Sequence, residues 1–104
     1  MSKIKVKKII GEYAKKLRQE KFPIEAIYLF GSFSKNNPSK WSDIDIAVIS
    51  EKFKKNWDYN ESLLWEYARK VDTRIEPIGL TNEELREGAT PLTAEIKKKG
   101  VRII

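Results

Sequence analysis

Between residues 3 and 20, Val6, Ile9, Ile10, Tyr13, Ala14 and Leu17 recur at helical spacing, with lysine filling many of the positions between them. The pattern predicts an amphipathic helix with one buried stripe. Phe22-Pro23 ends it, because proline has no N–H to donate and pushes the residue before it out of helical geometry. From Ile24 the period shortens to two, with Ile24, Ala26, Tyr28 and Phe30 on one face and Glu25, Ile27 and Leu29 on the other, until Gly31 stops it. Both faces are largely apolar, as expected of an interior strand. Residues 32–42, with Asn36-Asn37-Pro38 at their centre, read as a connector. Residues 43–50 predict a second strand, with Ile44, Ile46 and Val48 on one face and Asp43, Asp45, Ala47 and Ile49 on the other.

Asp58 and Glu61 stand three apart, as in a capping box, ahead of Leu64, Tyr67, Ala68 and Val71 at helical spacing. A helix is expected over about 58–70. Val71 to Leu80 reads as a third strand, and Pro77 assigns it to an edge, a bulge or a strand end. Thr81-Asn82-Glu83-Glu84 is a second capping box, opening a short helix to about Glu87. Thr90-Pro91 starts a last helix, which Gly100 stops. The order α-β-β-α-β-α-α predicts an α/β (α+β) fold, a small mixed β-sheet of three or four strands flanked by helices, with residues 1–104 as one domain.

Composition narrows the chemistry. The 104 residues contain no Cys and no His, which excludes disulfides, thiolate nucleophiles, imidazole bases and His- or Cys-ligated metals. Acid, base and metal work must fall mainly to carboxylates. No stretch approaches a membrane span and Met1-Ser2-Lys3-Ile4-Lys5 lacks a signal peptide's apolar core, so a cytoplasmic chain without a membrane partner is expected. The 21 Lys+Arg against 15 Asp+Glu leave a net charge of +6 that attracts phosphates in general. The cations are spread over several elements, with no zinc signature or helix-turn-helix, so a nucleic-acid partner finds no support in motif. Trp57, Trp65 and Tyr67 read as core or partner-surface residues, Trp41 as a ring folded over the sheet end, and Lys97-Lys98-Lys99 as a solvated helix end.

One constellation carries chemistry: Gly31-Ser32, ten residues, then Asp43-Ile44-Asp45. Gly31 lacks a Cβ and admits a ligand close to the backbone, and Ser32 adds a hydroxyl at the start of a helical turn, together a seat for phosphate. Asp43 and Asp45 project from one strand face, about 7 Å apart by strand rise. Two such carboxylates repel unless a cation or hydrogen-bond donors compensate, and with no His or Cys the fitting cations are Mg²⁺ or Mn²⁺.

Leu29-Phe30-Gly31-Ser32, followed by Ser42-Asp43-Ile44-Asp45-Ile46-Ala47-Val48, resembles the minimal nucleotidyltransferases of the DNA polymerase β-like superfamily. The resemblance implies the antitoxin half of a toxin–antitoxin pair, whose partner is a HEPN-type toxin. It implies transfer of AMP from ATP to a tyrosine of that toxin with two Mg²⁺ ions. Carried over, Gly31 and Ser32 hold the triphosphate, and Lys35 stands where many members have Arg, keeping the charge without the bidentate contact. Asp43 and Asp45 hold the metals, and Glu76 stands where the family commonly has an Asp as third carboxylate; Asp72, of the same strand parity, is the alternative. Two rival readings stay open: a non-catalytic antitoxin that acts by binding, and an adenylyltransferase of small molecules, which would be expected to need extra helices. A homo-oligomer also stays open.

Overall fold

The computed structural model describes residues 2–31 and 43–104. Helix α1 (Lys3–Gln19) buries the predicted stripe, Val6, Ile9, Ile10, Tyr13, Ala14 and Leu17. Two strands follow, β1 (Ala26–Phe30) and β2 (Ile44–Ile49). A 3₁₀ turn (Glu51–Lys54) then leads into α2 (Trp57–Val71), β3 (Ile75–Leu80), α3 (Asn82–Glu87), α4 (Pro91–Lys99) and β4 (Val101–Arg102). The sheet order is β3-β2-β1-β4. β1 pairs antiparallel with both β2 and β4, and β2 pairs parallel with β3. The sheet is therefore mixed, as the pattern predicts, and has four strands. Its fourth strand leaves no mark in that pattern, because two residues have no period of their own.

Strand alternation divides the core in two. Ile27, Leu29, Ile44, Ile46, Val48 and Ile75 pack with the stripe of α1 and with Leu64, Tyr67 and Ala68 of α2. On the other face Ala26, Phe30, Ala47, Ile49 and Leu80 pack with Leu85 of α3 and Ile96 of α4. The buried Tyr13 hydroxyl donates to the Leu64 carbonyl at 2.8 Å, tying α1 to α2, and burial raises its pKa.

Two local expectations are corrected. No capping box opens α2: its N-cap is Asn56, in the left-handed region at φ 52°, with no side-chain cap. The start is anchored instead by Asn60, whose Nδ2 donates to the Lys52 and Lys55 carbonyls at 3.0 Å each. Trp57 adds a bond from its indole Nε1 to the Gly79 carbonyl at 3.2 Å. Burial, and then the charge of Asp58, raise the pKa of Glu61, so this acidic pair repels rather than caps. The third strand also begins at Ile75 rather than Val71. Val71 is the last residue of α2, and a turn closed by Ile75 N–H to the Asp72 carbonyl (3.2 Å) separates helix from strand. Pro77 lies within β3 at a sheet edge, where a missing N–H leaves no ladder neighbour unpaired. The capping boxes of Thr81 with Glu84 and Thr90 with Thr93 both form.

Candidate active site

Register alone brings the acidic residues together. β1 ends with Phe30 opposite Asp45, and the parallel pairing of β2 with β3 sets Glu76 directly beside Asp45. An Ile44 N–H to Arg74 carbonyl bond of 2.8 Å aligns the two strand starts. By alternation Asp45 shares a face with Ala47 and Ile49, and Glu76 with Ile78 and Leu80, the face covered by α3 and α4. The Glu76 carboxyl lies near enough to those of Asp45 and Asp43 to interact with both. Residues more than thirty positions apart thus meet at one end of the sheet.

The electrostatics of this cluster are unfavourable at neutral pH. Burial raises the pKa of Asp45, and the charges of Asp43 and of Glu95 on α4 push the same way, against an opposing contribution from its contact with Glu76. Burial also raises Glu76, and its contacts with Asp45 and Asp43 raise it further. Both carboxyls are therefore held towards their neutral forms by burial and by the charges of neighbouring acids. Nothing in the sequence pattern points to Glu95, since no short-range signal links a helix residue to a strand fifty positions away.

Gly31 is required twice over. Its φ of +78° lies in the left-handed region, and a Cβ there would stand 2.6 Å from Asp45 Oδ2. The Asp45 carboxylate therefore occupies the space that the missing side chain leaves. Gly31→Ala is expected to cost about 1–2 kcal/mol through the backbone alone and to displace the Asp45 carboxylate. Thermal melting reads the first effect, and an NMR titration of the Asp45 carboxyl reads the second.

Asp72, the alternative third carboxylate, is engaged elsewhere. It accepts from Arg74 Nη2 at 2.7 Å, Nε at 3.0 Å and the backbone N–H at 2.9 Å. Those bonds, the side-chain one first, hold its carboxyl below the usual range. Its shared parity with Glu76 has no structural meaning, because residues 72–74 turn instead of extending the strand. Ser32, Lys35 and Trp41 lie outside the described residues. A surface cavity of about 420 Å³ lined by Lys52, Lys55, Asn56 and Tyr59 opens beyond the far end of β2, and none of the three carboxylates lines it.

Among the described residues, no three acidic side chains already surround one point closely enough to hold a metal ion. When ionised, Asp43, Asp45 and Glu76 offer only oxygen donors, beside a glycine that lets Asp45 approach the backbone, a donor set suited to a hard divalent cation.

Residues 12–104 match the sequence profile of the family described as polymerase beta, nucleotidyltransferase. The protein adenylyltransferase MntA of Shewanella oneidensis is 30% identical over 89 residues, which cover 85% of this chain and 60% of MntA. The chain thus spans about three-fifths of that curated relative's length. Among solved structures, a toxin–antitoxin with AMP-PNP aligns at a TM-score of 0.65 and 28% identity, over 94% of this chain and 72% of that one. A toxin–antitoxin MntA-HpeT mutant aligns at 0.61 and 25% identity, over 90% and 70%. A candidate nucleotidyltransferase from Sulfolobus solfataricus shares the fold at a TM-score of 0.69 and 20% identity, over 95% and 79%.

Proposed function

This chain belongs to the polymerase beta nucleotidyltransferase family, and we propose that it is a cytoplasmic antitoxin that transfers AMP from ATP to a tyrosine of a HEPN-type toxin. The observation that carries the reading is the meeting of Asp43, Asp45 and Glu76 beside the Cβ-free Gly31. Likeness to a protein adenylyltransferase and to a toxin–antitoxin with AMP-PNP supports the nucleotide and the class of acceptor.

In the reaction the tyrosine hydroxyl oxygen bonds to the α-phosphorus of ATP, the bond from that phosphorus to the bridging oxygen breaks, and pyrophosphate leaves. The hydroxyl proton needs an acceptor. Glu76 is suited to the task, since its environment already raises its affinity for a proton. Gly31 and Ser32 hold the triphosphate, with Lys35 adding charge. Asp43, Asp45 and Glu76 would hold Mg²⁺, which when bound neutralises the phosphates and acidifies the attacking hydroxyl. The chain's remaining contribution is positioning: two strands in fixed register keep the carboxylates in place without reorganisation.

The test is transfer of labelled AMP from ATP to the co-expressed toxin in the presence of Mg²⁺. Label is expected with the wild type and lost in Glu76→Gln and in Asp43→Asn. A stable complex with an unlabelled toxin would instead establish an antitoxin that works by binding alone.

A further inference from the structure

The cations of this chain are spread widely, but its net charge is not. Helix α1 carries seven cations (Lys3, Lys5, Lys7, Lys8, Lys15, Lys16 and Arg18) and one acid, Glu12. The other fourteen cations are matched by fourteen acids, so the whole +6 resides on this helix. Lys5, Lys7, Lys8, Lys15 and Arg18 are exposed. Among the described residues, Lys16, with Glu20 at 3.3 Å, is the only α1 cation in an ion pair. The acid near Lys5 is Asp72, already bound by Arg74.

Lys16 and Arg18 in the last turn suit the helix dipole, but the cations of the first turns do not. The first turn of α1 holds Lys3 and Lys5 and no acid, at the helix end where the backbone dipole favours negative charge. Lys3 and Lys7 stand at i,i+4 and Lys5 and Lys8 at i,i+3, spacings at which like charges repel. Burial of the opposite stripe holds the helix in spite of its charge. A surface that opposes its own helix fits a partner that supplies the missing anions.

We infer that the exposed lysine face of α1 binds the phosphate backbone of nucleic acid, independently of base sequence. One observation favours phosphate over an acidic protein, and a second makes the binding independent of base sequence. Protein interfaces are built around an apolar centre and are poor in lysine, whereas this face shows one exposed large hydrophobic, Ile4 at 81%. It also exposes no aromatic ring on which bases would stack or arginine pair to read their edges, since Tyr13 is buried and Arg18 is the helix's one arginine. The face is independent of the nucleotidyl-transfer site. α1 covers the sheet face that packs Ile44 and Ile46, while Asp45 and Glu76 project from the other, so both can be occupied at once.

The test measures binding of a 20-nucleotide RNA of mixed sequence, single-stranded and as a duplex, between 50 and 200 mM salt. The wild type is expected to bind both, weakening steeply with salt and indifferently to sequence. The triple variant Lys5→Glu/Lys7→Glu/Lys8→Glu is expected to lose binding, and Lys5→Gln/Lys7→Gln/Lys8→Gln to make the log–log salt slope shallower by about 2 to 3. Reversing Lys97, Lys98 and Lys99 on α4 is expected to leave binding nearly unchanged. Melting curves and circular dichroism of the Gln variant, expected to match the wild type because the buried stripe is untouched, separate lost binding from lost folding. No binding at 50 mM salt, or an equal loss in the α4 variant, overturns the inference. Equal affinity for poly-glutamate with the same dependence on α1 overturns it in favour of an acidic protein partner.

Discussion

Asp45→Asn is expected to abolish AMP transfer while raising the melting temperature of the metal-free protein. Loss of one oriented charge at a phosphoryl-transfer centre costs roughly a hundredfold or more in rate. The gain in stability has a separate cause. Asp45 is driven towards its neutral form by burial and then by the charges of Asp43 and Glu95, and Glu76 is raised by burial and by its acidic neighbours. Folded protein therefore binds more protons than unfolded chain at any pH above the ordinary carboxylate range and below the raised values. There stability falls as pH rises, because the folded state must give up protons it holds more tightly than the unfolded state does. Asn at position 45 removes one charge and donates to Glu76, so the pH-dependent loss should shrink. Melting curves of wild type and variant from acid to neutral pH, with EDTA and then with excess Mg²⁺, provide the measurement. The wild type should gain more from Mg²⁺ than the variant, since binding to the native state alone stabilises by mass action. A variant less stable than wild type in EDTA would mean that the acidic cluster is not strained, and the case for a cation there would weaken.

Gly79→Ala carries the largest expected cost in stability. A Cβ at Gly79 would lie 2.2 to 2.6 Å from three carbons of the Phe53 ring, closer than any real contact. Phe53 is buried, packs against Phe22 with ring centroids 5.8 Å apart, and comes from the 3₁₀ turn that joins β2 to α2. Neither partner can yield cheaply, because the Gly79 backbone also receives the Trp57 indole and sits in the ladder opposite Val48. Overpacking of this kind costs about 1–3 kcal/mol, and each kcal/mol lowers the midpoint of a domain of this size by roughly 4–8 °C. A fall of roughly 4 to 24 °C is therefore expected. Phe53→Leu in the Gly79→Ala background should recover part of it, and the double-mutant cycle measures the coupling directly. Strict additivity of the two changes would show that the ring is not what the new methyl meets.

The elements with a sustained period are legible in the amino-acid order alone. The stripe of α1 and the alternation of β1 and β2 depend only on which side chains leave water, which near neighbours already determine. The pair Asp43 and Asp45 is legible for the same reason, as strand geometry sets their common side without reference to the rest of the chain. The start of α2 misleads, because Asp58 and Glu61 imitate a cap whose work is done by Asn60 on the carbonyls of Lys52 and Lys55.

The choice among distant carboxylates belongs to the tertiary fold. Glu76 and Asp72 are equivalent in parity, but the parallel register of β3 on β2 sets Glu76 beside Asp45, while Arg74 takes Asp72. Glu95 enters the surroundings of Asp45 because α4 folds back over the same sheet face. Gly31 is legible as a place where backbone can approach a ligand, yet the atom that fills its missing Cβ is an oxygen of Asp45. Local pattern follows from the partition of each side chain between water and core. Which charges must share one dry space follows from register and crossover, and these are set by the packing of the whole sheet.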